Sequence, residues 1–277
     1  MTQTIVEYQT NIYGVKVIKA EYTLIDNKKE GLYKVFHKNE KLKSVLNYVN
    51  DKKTGVYKEY DERENLLYEC NYNDDKKNGL YKVYYRNSLS GTTRNSLSGT
   101  NESLKSEVNY IEDKKEGLYK EYNEDGSISK IYTYINDKKE GLYKEYYPKV
   151  NLGVMNIETD LEDKLSVKLE VNYVNDKRTG LYITYHPNKS IAIICNYVND
   201  KIEGTYREYF SKKIPKGSKI KIEDYKDLGI LKEEAFYIND YKEGICKYYK
   251  ENPTLDPVTK EIVPKIRMFK RGEPMKI

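Results

Sequence analysis

Apolar positions along this chain alternate with polar ones inside short runs, and the runs repeat on a longer frame set by glycine. Thirteen residues before each of eight glycines stands an aliphatic residue: Ile18, Leu42, Leu66, Leu104, Ile128, Val167, Ile191 and Leu231. Seven before the glycine stands tyrosine in seven of the eight copies, with Leu24 in the first. Between these columns the apolar residues keep a period of two, which predicts a β-strand. After the glycine, tyrosine falls two residues on in seven copies and an aromatic falls five on in all eight, from Phe36 to Tyr249. That is a second strand.

The glycines are Gly31, Gly55, Gly79, Gly117, Gly141, Gly180, Gly204 and Gly244, spaced by 24 residues or by 38 to 40. A fixed period of this length marks a repeat array. Between the two strands lies Asn-Asp-Lys-Lys-x-Gly, as at 136–141. Its Asn/Asp start and late glycine predict a tight turn in which the glycine supplies a positive φ. Each repeat is then one hairpin, and the expected fold is all-β: an elongated, twisted, single-sheet antiparallel meander of about eight 24-residue hairpins. Sixteen strands at about 4.8 Å each would run on the order of 75 Å. A single repeat domain is expected over 1–277, with an N-terminal cap at 1–17 and repeats at 18–250. Residues 251–277 would form a loop and a closing strand around Ile266–Phe269.

The long spacings come from insertions near 86–103, 148–166 and 211–230, all placed after the second strand of one hairpin and before the next. They decorate one edge of the sheet, and long loops on a regular scaffold are common binding places. The third carries Lys212, Lys213, Lys216, Lys219 and Lys221, a cluster able to meet an anionic lipid or phosphate group. The first holds a duplicated Arg-Asn-Ser-Leu-Ser-Gly-Thr, and the second has no chemical signature.

Composition changes the picture in two ways. Tyrosine supplies 31 residues against 4 phenylalanines and no tryptophan, and 21 of those tyrosines fall in the three columns above, so ring ladders must replace part of an aliphatic core. The column two after the glycine, including Tyr57, Tyr81, Tyr119, Tyr143, Tyr182 and Tyr206, is a candidate interaction face. The charge, +5 from 49 basic and 44 acidic residues, is too interspersed for nucleic-acid binding. The Asn-Asp-Lys-Lys turns themselves are nearly neutral, which argues against a general membrane-docking ridge.

Catalytic constellations do not emerge. Cys70 and Cys195 occupy an apolar column and Cys246 a tyrosine column, so they read as core residues. His37 and His186 share a column six after the glycine and read as surface positions. There is no metal-ligand spacing, phosphate loop or nucleophile elbow, and no cofactor is expected. The segment Met1–Glu7 lacks a basic region followed by an apolar one, and no run approaches the roughly 20 apolar residues of a spanning helix. A cytoplasmic protein is expected.

The unit Asn136–Tyr147, and Gly117–Gly126 continuing through a second turn, resemble MORN-type repeats, most closely the variant found in bacterial antitoxin-like proteins and in repeat proteins of large DNA viruses. The similarity runs from about Ile18 to Tyr249. Tyrosine stands at Tyr119 and Tyr143 where the family often has tryptophan, and the second-turn glycine is kept only at Gly126. The resemblance implies a meander and a non-enzymatic role: a scaffold binding a protein partner, a toxin-neutralising inhibitor, or a module on anionic lipid. The partner and the oligomeric state are open.

Overall fold

The computed structural model describes residues 1–86, 103–148, 166–211, 230–251 and 262–275. The described residues form an all-strand, open antiparallel sheet of 20 strands in chain order. By proximity the chain divides into two compact units, Met1–Ile128 with Tyr134–Asp137, and Ser129–Thr133 with Lys138–Ile277. The first contains β1 (Thr2–Thr10), β2 (Lys16–Ile25), β3 (Lys28–Phe36), β4 (Leu42–Val49), β5 (Lys52–Tyr60), β6 (Leu66–Asn73), β7 (Lys76–Tyr84), β8 (Leu104–Ile111) and β9 (Lys114–Tyr122). Strand β10 (Ile128–Ile135) straddles the division. The second contains β11 (Lys138–Tyr146), β12 (Val167–Val174), β13 (Lys177–Tyr185), β14 (Ile191–Val198), β15 (Lys201–Ile202), β16 (Gly204–Tyr209), β17 (Leu231–Ile238), β18 (Tyr241–Tyr248), β19 (Lys265–Lys270) and β20 (Glu273–Met275). Residues 1–17, expected as a cap, hold a full strand, β1, and the start of β2; the strand expected around Ile266–Phe269 is β19, which a further short strand, β20, follows.

The turn differs from the one the motif suggests. Its two central residues are the Asn and Asp, both left-handed, as at Asn136 (φ 49°) and Asp137 (φ 67°). Two positive φ values in a two-residue loop match the right-handed twist of the flanking strands. The glycine lies four residues past the aspartate, inside the second strand, at a bulge. In the β4–β5 hairpin Val45 faces Lys58 and Asn47 faces Thr54, so Leu46 alone stands against Gly55, Val56 and Tyr57. Gly141 takes a φ of 76° with nothing within 4 Å of a would-be Cβ, so backbone conformation and not space demands glycine there.

Side chains of the turn motif tie each repeat to the next. Asp51 Oδ1 accepts the Lys29 backbone N–H at 2.7 Å, Asp137 that of Lys115 at 2.8 Å, and Asp176 that of Lys139 at 2.7 Å. In return, Glu30 Oε2 accepts the Asn50 N–H at 2.8 Å, as Glu140 Oε2 does that of Asn175 at 2.9 Å. These charge-assisted bonds satisfy backbone donors that a stack of exposed turns would otherwise leave to water.

The opposite ends of the strands have their own ladder. His37 Nε2 lies 2.9 Å from the Tyr60 carbonyl oxygen, and His186 Nε2 3.0 Å from that of Tyr209. Tyr85 and Tyr147 donate from the same column to the Tyr122 and Tyr185 carbonyls, both at 2.7 Å. The histidines, expected as plain surface residues, are half-buried and join neighbouring repeats. At the first three insertion points, backbone bonds from Tyr85 to Ser103, Tyr147 to Ser166 and Phe210 to Ile230, each 2.9 Å, bring the two ends of the insertion together.

The core is thin and one-sided. Leu46, Cys70, Val108, Val171, Cys195 and Ala235 form a buried column, each opposite a residue two after the repeat glycine: Tyr33 against Leu46, Tyr57 against Cys70, Tyr206 against Ala235. All three cysteines are free and buried.

Candidate interaction surface

Strand alternation gives the sheet two chemically distinct faces. On the tyrosine face of the first unit, Tyr57 meets Tyr68 (5.5 Å between centroids) and Tyr72 (6.1 Å), Tyr81 meets Tyr110 (5.5 Å), and Tyr119 meets Tyr134 (6.0 Å). In the second, Tyr143 stacks on Tyr132 (5.3 Å) and tilts against Tyr173 (5.7 Å), Tyr182 meets Tyr197 (5.2 Å), and Tyr206 meets Tyr237 (5.5 Å). All six tyrosines singled out from the sequence therefore share this face within their units, and all are half-buried.

Several rings of this face also carry a cation from within the sheet. The basic residue two before the glycine stands over them: Lys77 Nζ is 5.1 and 5.2 Å from the Tyr81 and Tyr110 centroids, Lys139 Nζ 5.1 and 5.2 Å from Tyr132 and Tyr173, and Arg178 Cζ 4.1 Å from Tyr197. A cation held over an aromatic face in this way uses the surface an external cation would need. Burial, reinforced by a 2.5 Å hydrogen bond to Glu59, pushes the Tyr57 hydroxyl up to about 12. Burial likewise takes Tyr119 and Tyr182 to about 12, with the charge of Glu121 and the neighbouring Tyr197 adding to it. A raised tyrosine is a neutral phenol at ordinary pH and does not serve as a general base.

The reverse face carries what the tyrosine pattern concealed. The residue directly after the glycine is aliphatic in seven of eight copies, and so is the residue six before it. Leu32 faces Asn47 across the strands, and Asn47 alternates with Val49; Leu181 faces Asn196, which alternates with Val198. The two aliphatic columns therefore share one face. In the first unit they comprise Leu32, Val56, Leu80 and Leu118 with Ile25, Val49, Ile111 and Ile135. In the second they comprise Leu142, Leu181 and Ile245 with Val174, Val198 and Ile238. All of these are between 40 and 54% exposed. A half-open hollow of about 430 Å³ lies on this side of the first repeat, lined among others by Ile25, Leu32, Thr23 and Asn47. The signal was present in the sequence as adjacent Leu-Tyr pairs, which put an apolar residue on each face.

Farther from the Asn-Asp turns the same face is polar, with glutamates held between basic side chains and tyrosine hydroxyls. Glu69 accepts from the Tyr84 hydroxyl at 2.9 Å and from Lys82 Nζ at 3.2 Å, with Lys58 Nζ at 3.6 Å. Glu107 holds Tyr122 at 2.7 Å and Lys120 at 3.4 Å, and Glu234 holds Arg207 at 2.9 Å and Lys247 at 3.2 Å. Burial alone would raise the Glu69 carboxyl, but the bonds from Tyr84 and Lys82 hold it below its ordinary 4.5. An apolar band bordered by paired charges has the anatomy of a protein-binding surface.

The lysine cluster Lys212, Lys213, Lys216, Lys219 and Lys221 lies outside the described residues. Among the described residues no group of three or more His, Cys, Asp or Glu could hold a metal ion, and no helix is long and apolar enough to cross a membrane.

The MORN repeat variant family matches residues 29–50, 53–74, 115–136 and 178–199. Each match begins at the second residue of a post-turn strand, passes the bulge glycine and the short second turn, and ends at the next Asn-Asp turn. These are the four copies whose second turn carries no insertion. A crystal structure of a porin-like protein from Bacteroides uniformis ATCC 8492 shares 12% identity over 92% of this chain and 87% of that one, with a TM-score of 0.17, and carries no argument about the fold. No curated protein matches the chain.

Proposed function

For a chain that carries MORN-variant repeats, we propose a non-enzymatic scaffold that binds a protein partner through the aliphatic face. The observation that supports this reading is the pair of exposed aliphatic columns that recurs from repeat to repeat beside Lys-Glu-Tyr clusters. The six tyrosine rings on the other face are half-buried, with Lys over Tyr81 and Tyr143 and over several neighbouring rings, which favours a role in holding the repeats together. The exposed aliphatic columns, with Lys58, Lys82, Lys120 and Arg207 of this face engaged by glutamates, favour a partner with apolar side chains over an anionic lipid surface.

The test is affinity capture with two charge-introducing variants, Leu118→Glu and Leu181→Glu, both at exposed positions. Each should keep the β circular-dichroism signal and melting temperature of the parent while weakening partner capture at least about tenfold, since a buried unpaired carboxylate at an interface costs several kcal/mol. Retention of every partner by the double variant would reject the aliphatic face as the binding surface.

A further inference from the structure

Strand β1 has a hydrogen-bonding neighbour on one side only: among the described residues it pairs with β2 and with no other strand. A strand of nine residues with one open edge is a template for another chain unless something blunts it. The usual devices are absent. β1 contains no proline and no lysine, its only charge is Glu7, and the extra residue of the β1–β2 bulge, Lys19, sits on β2, so β1 itself runs regularly. By contrast the last strand of the second unit, β20, is three residues long and contains Pro274.

Hydrogen-bond alternation shows which groups face outward. Asp26 N–H donates to the Met1 carbonyl at 3.2 Å, and Asn11 N–H to that of Val15 at 2.9 Å. Counting by twos from either anchor, the odd-numbered residues of β1 bond toward β2 and Thr2, Thr4, Val6, Tyr8 and Thr10 point their N–H and C=O away from it.

The sequence of β1, Thr-Gln-Thr-Ile-Val-Glu-Tyr-Gln-Thr, is symmetric about Val6 at its ends, where Thr2 and Gln3 mirror Thr10 and Gln9, while Thr4 and Ile5 stand opposite Tyr8 and Glu7. We propose that β1 pairs antiparallel with β1 of a second copy of this chain, forming a two-fold homodimer centred on Val6. In that register Val6 meets Val6, Thr4 meets Tyr8, Thr2 meets Thr10 and Gln3 meets Gln9. Every outward-facing residue of one copy meets an outward-facing residue of the other, as a two-fold interface requires. Branched, aromatic and Thr–Thr pairs are favourable across antiparallel strands. Glu7 meets Ile5 and not its own counterpart, and its charge is already engaged by Lys19 Nζ at 3.3 Å and the Tyr22 hydroxyl at 3.2 Å.

Sedimentation of the chain spanning residues 1–277 should give twice the mass of one chain at micromolar concentration. Val6→Pro removes one outward N–H without touching the β1–β2 bonds and should halve that mass. Val6→Lys keeps the N–H but sets two cations against each other at the axis and should do the same. Both variants should retain the parent circular dichroism, and Leu118→Glu should leave the dimer intact. A parent chain that sediments as a monomer, or a dimer that survives both Val6 substitutions, would overturn the proposal. Loss of the dimer in Leu118→Glu would overturn it too, by placing the contact on the aliphatic face.

Discussion

The aspartate that ends each Asn-Asp turn holds a left-handed backbone and, through its carboxylate, accepts the N–H of the neighbouring turn. Both functions can be separated at Asp137 (φ 67°), which bonds Lys115 N at 2.8 Å. Asp137→Gly keeps the conformation and loses the bond, and should cost about 2 kcal/mol; Asp137→Ala adds about 1–2 kcal/mol of left-handed strain. Gly141→Ala should cost about 1–2 kcal/mol through φ alone, because no atom lies within 4 Å of the new methyl. Urea unfolding of the three variants checks the ranking. At this scale the sequence showed that a positive φ was needed but not where the turn ended. Asn-Asp and Gly can both adopt it, and only the pairing of Val45 with Lys58 and Asn47 with Thr54 reveals that the glycine belongs to a bulge.

At the scale of the hairpin, ring packing is the element that joins neighbouring strands. Tyr143 touches Tyr132 and Tyr173 and lies beneath Lys139. Tyr143→Ala should destabilise by about 2–3 kcal/mol, less than a fully buried aromatic would because the ring is half-exposed. Tyr143→Phe keeps the ring contacts and should cost about 1 kcal/mol or less. The neighbouring Leu142→Ala, on the exposed face, should stay within about 0.5 kcal/mol. Thermal melts of the three would show whether stability resides on the tyrosine side. Strand starts were highly legible: seven of the eight aliphatic positions predicted to open a strand do so, from Leu42 to Leu231, while the first strand begins two residues earlier at Lys16.

Across the whole molecule the tyrosines make stability sensitive to alkali. Tyr57, Tyr119 and Tyr182 are raised from 10 to about 12, with burial the largest cause. The unfolded chain therefore releases these protons first. Their contribution is fully present below about pH 10 and is lost as pH rises through about 12. The melting temperature should be nearly flat from about pH 7 to 9 and then fall steeply, with tyrosinate absorbance appearing together with loss of the β signal. Tyrosinate that titrates near 10 while the fold persists would show that the ladder is open to solvent.

Periodicity by itself determined the class of fold, the hairpin count and the places where insertions interrupt it, because alternation and glycine spacing are properties of local backbone geometry. It also placed six tyrosines in one column, which falls on a single face within each unit. Only the tertiary structure decided how exposed those faces are. Whether a ring is available or covered by Lys77, Lys139 or Arg178 depends on side chains brought together across strands, and whether Leu32 or Leu181 is buried depends on whether a second layer covers that side of the sheet. The open edge of β1 is of the same kind: the mirrored Thr-Gln ends of the strand are written in the sequence, but that its outward groups have no strand beside them among the described residues follows from how the strands pair.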